Sequence, residues 1–118
     1  MRLERELMRG AGPVAVLKLL SAGPMYGYEL IDALDQRTAG VLDMGQATLY
    51  PMLYNLEARG EVKAFWRSSD AGRDRKYYEL TDRGWKRLAE DSEQLRHMAR
   101  ALAALGLLNA PSPKEAVA

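Results

Sequence analysis

Two groups of side chains in this sequence can make directed contacts with a partner. The first lies in Gln46-Ala-Thr-Leu-Tyr-Pro-Met-Leu-Tyr-Asn-Leu-Glu-Ala-Arg-Gly60, where Gln46, Thr48, Tyr50, Tyr54 and Asn55 carry amides and hydroxyls. The second is the basic trio Arg73, Arg75 and Lys76. Amides and hydroxyls can bond to base edges, an alanine methyl can touch a thymine methyl, and cationic side chains hold phosphates. Reactive chemistry has far less to work with. There is no cysteine and a single histidine, His97, so neither a Cys-based zinc site nor an H-x-x-x-H metal pair can form. No glycine-rich loop sits between a strand and a helix, and no acidic pair stands isolated in an apolar context as general acid-base work requires. The sequence reads as a binding protein, not an enzyme, with no cofactor.

The spacing of apolar residues indicates how the first group is held. Leu49, Met52, Leu53 and Leu56 fall at i, i+3, i+4 and i+7, one buried stripe of an α-helix. The opposite face is then Ala47, Pro51, Tyr54 and Ala58, flanked by Thr48, Tyr50 and Asn55. Such a small, aromatic, uncharged face suits the major groove of double-stranded DNA, although packing on another segment of the same chain is the commoner origin of such a face. Pro51 lacks the N–H that would bond to the carbonyl of Ala47. The helix therefore either starts near Leu49 or is kinked at Pro51.

Upstream, Arg2 to Arg9 reads as a short helix, and Gly12-Pro13 as the start of a separate one ending at Gly23-Pro24. Tyr26 to Arg37 reads as the next helix, with Gly27 set for close approach to its predecessor, and Thr38 to Gly45 as a linker. Three short helices in a row, the last with an uncharged outer face, form the layout of a helix-turn-helix. Downstream, Glu61 to Arg67 and Arg75 to Thr81 alternate like strands, and the turn-forming Ser68 to Asp74 joins them into a hairpin with a basic tip. Net charge is only +1, yet between Arg59 and Arg87 nine basic residues face five acidic ones, about +4 locally. A last helix opens at Thr81 as N-cap, and its Leu88, Leu95, Met98, Leu102 and Leu105 follow a heptad-like seam interrupted by Asp91. A second copy of the same helix would cover that seam, as would folding back onto the same chain. The two lone tryptophans, Trp66 and Trp85, are expected in the core.

Tyr26-Gly-Tyr-Glu-Leu30, Ala47-Thr-Leu-Tyr-Pro51 with Leu56-Glu-Ala-Arg-Gly60, and Gly72-Arg-Asp-Arg-Lys-Tyr-Tyr-Glu-Leu-Thr81 followed by Gly84 together resemble the PadR family of bacterial transcriptional regulators. The likeness spans about Pro13 to Gly84. It implies a winged helix-turn-helix that dimerises through its C-terminal helices and, in most members, represses from a pseudo-palindromic operator. The short length resembles the compact branch of the family. The chain departs from the pattern at Ala47, where glycine is frequent. It departs again near Leu95, where compact members that bind flat aromatic drugs place a tryptophan.

The expected architecture is thus α+β, mainly α. Residues 1–80 form the winged helix-turn-helix, 81–108 a long dimerisation helix, and 109–118 a flexible tail. The expected partners are double-stranded DNA and a second copy of the chain. A small apolar or aromatic effector would sit against Met8, Leu95, Met98 and Leu102. A winged-helix module that binds another protein is the alternative function. No stretch approaches a membrane span and no signal-peptide apolar region is present, so the expected location is the cytoplasm.

Overall fold

The computed structural model describes residues 1–68, 72–111 and 114. Its order of elements is α1 (Arg5–Leu20), β1 (Met25–Tyr26), α2 (Gly27–Arg37), α3 (Gln46–Ala58), β2 (Val62–Ser68), β3 (Asp74–Leu80) and α4 (Asp82–Ala104). The chain divides into two compact units, Met1–Leu88 and Ala89–Ala118. This is the mainly helical winged-helix architecture that the periodicities predict. The hairpin strands lie within one residue of their expected bounds.

Pro13, expected to open a helix, and Pro51, expected either near the start of its helix or at a kink within it, both lie inside helices. α1 is a single helix that runs through Gly12-Pro13, not a short helix followed by another, and α3 starts at Gln46 and runs through Pro51. An interior proline costs a hydrogen bond and a steric adjustment. The orphaned carbonyls belong to Arg9 and Ala47, both exposed residues, where water can take the lost bond. The burial that offsets the cost is large. Met8, Val16, Leu17 and Leu20 from α1 and Leu49, Leu53 and Leu56 from α3 are at most 5% exposed. Gly12 brings α1 close to α3, where the end of the Met52 side chain packs against it.

β1 takes Tyr26, expected as the first residue of a helix, together with Met25 before it, and α2 starts at Gly27. Met25 and Tyr26 pair antiparallel with Tyr78 and Tyr77, which makes a three-stranded sheet of order β1-β3-β2. Two residues carry no readable alternation, and only the pairing with β3 makes them a strand. α3 ends in a Schellman turn. Gly60 adopts φ +72°, its N–H donates to the Glu57 carbonyl, and the Glu61 N–H donates to the Leu56 carbonyl. The Thr81 hydroxyl caps α4 by accepting from the Gly84 N–H (3.1 Å) while donating to the Gly60 carbonyl (2.6 Å). Gly84 itself lies so close to the Glu61 carbonyl that no side chain fits.

α4 stops at Ala104 rather than 108. Gly106 at φ +81° closes it with a second Schellman turn, in which Leu107 and Gly106 donate to the carbonyls of Leu102 and Ala103. Leu105 therefore lies beyond the helix. Leu88 is 7% exposed within the core of the first unit, so it is spent on the chain itself and the exposed seam begins at Leu95. Trp66 and Trp85 are 67% and 50% exposed, contrary to the core role expected of them. Part of the hairpin tip (69–71) and part of the tail (112–113 and 115–118) lie outside the described residues. Among the described residues no helix is long and apolar enough to cross a membrane, and no cluster could hold a metal ion.

Candidate nucleic-acid interface

α3 divides cleanly into two faces. Leu49, Leu53 and Leu56 are closed off beneath it, while Gln46, Ala47, Thr48, Tyr50, Pro51, Tyr54 and Asn55 are all exposed, Tyr54 by 71%. The outward face is therefore open to solvent over most of its length and touches the rest of the first unit mainly through Gln46 and Tyr50. Two tyrosines tie the start of α3 to the start of α2. The Tyr50 hydroxyl lies against Gly27, so the close approach this glycine permits is to α3 and not to α1 as expected from the sequence. The Gln46 amide donates through Nε2 to the Tyr28 hydroxyl at 2.5 Å.

The basic side chains of the wing are held differently. Arg75 and Lys76 lie within β3 and, as neighbours on a strand, point to opposite faces. Lys76 is exposed, with its ammonium 5.7 Å from the Tyr78 ring centre. Arg75 is half-buried. Its guanidinium stacks 4.5 Å over the Tyr26 ring, and Nη1 donates to the Tyr26 hydroxyl at 2.6 Å. Arg67, opposite Arg75 in the register, lies 4.6 Å over Tyr77 and 5.3 Å over Phe65, two rings stacked at 5.8 Å. Tyr26 meets Tyr77 edge-on at 5.4 Å. The outer face of the sheet is thus a lattice of arginines braced by aromatic rings. Arg73 is exposed just before β3, and Ser68 and Asp74 close the hairpin through a 2.9 Å hydrogen bond.

Ion pairing refines the local charge. Lys63 pairs with Glu79 (3.3 Å), and Arg87 with the largely buried Glu61 (2.8 Å). Burial first, then Glu57 and Tyr50, push the Tyr78 phenol above its usual pKa, so it remains a neutral packing group under the wing.

Sequence reasoning did not anticipate Tyr26, Tyr28, Arg67 or the N-terminal arginines as part of this surface. The β2 and β3 alternation could have placed Arg67 with Phe65 and opposite Arg75, whereas Tyr26 and Tyr28 arrive through long-range contacts without a local signal. Arg2, Arg5 and Arg9 line a cavity of about 730 Å³ together with Thr48, Pro51 and Asn55, which brings a further basic edge alongside α3. Met8, expected against an effector, also borders this cavity but is 5% exposed and belongs to the core. Leu95 and Met98 belong to the second unit, where they are 38% and 52% exposed. His97 lies on the surface of the same helix, between Glu93 (3.7 Å) and Arg100 (3.1 Å).

Comparison with known proteins places this arrangement. A crystal structure of a Streptococcus transcriptional regulator is similar at 30% identity and a TM-score of 0.77, over 87% of this chain and 99% of that one. A PadR family transcriptional regulator from Eggerthella lenta is similar at 33% identity and a TM-score of 0.74, over 88% of each chain. Bacillus subtilis PadR in complex with operator DNA shares the fold at 24% identity and a TM-score of 0.60, over 66% of this chain and 44% of that one. The transcriptional regulator PadR-like family matches residues 16–90, from α1 through the wing into α4, and the chain belongs to that family of transcriptional regulators.

Proposed function

We propose that this regulator binds a pseudo-palindromic operator as a homodimer and represses transcription from it. The observation that carries the reading is the exposed, uncharged polar face of α3 bounded by a basic wing. Gln46, Thr48, Tyr50, Tyr54 and Asn55 would enter the major groove, and Arg73, Arg75 and Lys76 would hold phosphates beside it. The operator DNA in the Bacillus subtilis PadR complex supports DNA as the partner. The exposed Leu95, Met98 and Leu105 and the partly exposed Leu102, in and just after the second half of α4, support a second copy as the other partner, and an apolar or aromatic effector bound among them would release the operator. Two-fold symmetry sets the half-site centres about 10 bp apart. Work inside the cytoplasm follows from a DNA partner.

Fluorescence-anisotropy titration against the promoter region of the regulator's own gene and a scrambled duplex, at two salt concentrations, tests this. Binding to the promoter alone, weakened by salt, is the expected outcome. The exposed aromatics Tyr54 and Trp66 favour a second reading in which the same surface anchors a protein. Weak, equal binding to both duplexes, together with a protein partner retained at high salt, would select it.

A further inference from the structure

We infer that Tyr28 and Gln46 act as one unit that reads an A·T base pair, with Tyr28 fixing the orientation of the Gln46 amide. The inference rests on the DNA-binding reading above and names the specificity of that surface.

Gln46 is the first residue of α3, the end of a recognition helix that meets base edges. A glutamine there is long and freely rotating, and its amide can present either its oxygen or its nitrogen to a given spot. Here Nε2 donates to the Tyr28 hydroxyl at 2.5 Å, across the gap between the first turns of α2 and α3. That gap is itself held, because Tyr50 of α3 lies against Gly27, the residue before Tyr28. Both side chains remain exposed, Tyr28 by 60%, so the pair is not there to fill a core.

The amide nitrogen carries two hydrogens. With one engaged by Tyr28, the exposed amide keeps a second hydrogen and Oε1 as a donor and an acceptor for a partner. In the major groove adenine offers the complementary set, the N7 acceptor and the N6 amino donor. Guanine offers two acceptors, N7 and O6, and would set its O6 against Oε1. Holding the amide in advance also reduces the freedom lost on contact. The pair therefore favours adenine, and a free glutamine would do so less sharply.

The test is selection from a pool of random-core duplexes by the full-length wild type, Tyr28→Phe and Gln46→Ala, followed by titration of single-base variants of the selected site at several salt concentrations. Wild type is expected to select an A·T pair at one fixed position per half-site and to disfavour other bases there by roughly 5- to 150-fold. Tyr28→Phe should shrink that preference and Gln46→Ala erase it, both with the salt dependence of wild type. Gln46→Glu, which only accepts, should move the preference at that position toward cytosine. Unchanged base preferences in both Tyr28→Phe and Gln46→Ala would overturn the inference while leaving DNA binding intact. Loss in Gln46→Ala alone would overturn the role of Tyr28. Enrichment of no duplex by wild type would remove the DNA-binding reading and this inference with it.

Discussion

The outer face of α3 and the outer face of the wing lie next to each other in sequence and are built in opposite ways. α3 presents uncharged donors and acceptors on a helix whose underside is sealed by Leu49, Leu53 and Leu56. Its precision comes from a rigid floor. The wing presents Arg67 and Arg75 on a three-stranded sheet, and their precision comes from lateral bracing by Phe65, Tyr77 and Tyr26. A hydrogen-bond edge must be correct in angle to discriminate between bases, whereas a cation beside a phosphate tolerates small displacements. A packed helix suits the first task, and a braced ribbon the second.

Removing the floor should have the largest effect. Leu53→Ala leaves a void under α3 and should cost about 2–5 kcal/mol of stability by urea unfolding. Binding to a selected duplex should weaken as well, even where the protein remains folded. Full retention of affinity in the folded variant would show that α3 does not depend on its floor.

The two surfaces should next separate by sequence and by salt. On the proposed DNA reading, Asn55→Ala should change the ranking of single-base operator variants by about 1–3 kcal/mol and leave the salt slope alone. Lys76→Ala should weaken all duplexes alike and flatten the slope by about one unit. If the two variants gave the same pattern, the division of labour would be wrong.

Tyr26→Phe is a smaller and more pointed change. It removes the hydroxyl that accepts from Arg75 and keeps the ring beneath the guanidinium. The expected loss is about 0.5–1.5 kcal/mol of DNA affinity, without a change in base ranking. An altered ranking would mean that Arg75 contacts bases.

The smallest effect lies at high pH. The folded-state pKa of Tyr78 is raised, so folding favours the neutral phenol. Its contribution to stability is complete below the unfolded value of 10.0 and is lost as pH rises through the folded value. Tyr78→Phe should reduce the dependence of stability on pH above that point, read by urea unfolding across an alkaline series.

The amino-acid sequence by itself determined what depends on near neighbours. The α3 stripe, the Thr81 cap, the Gly60 turn and the β2-β3 hairpin follow from spacings and residue types within a few positions, because hydrogen bonds and side-chain periodicity within one element are local. Tertiary structure decided the rest. It carried two helices through Pro13 and Pro51, because buried stripes on both sides of each proline outweigh one lost bond. It turned Met25 and Tyr26 into a strand by pairing them with β3, and placed Leu88 in the chain's own core while leaving both tryptophans at the surface. It brought Tyr26 to Arg75 across 49 positions and Tyr28 to Gln46 across 18. No local pattern encodes these pairings, because each partner is supplied by a different element of the folded chain.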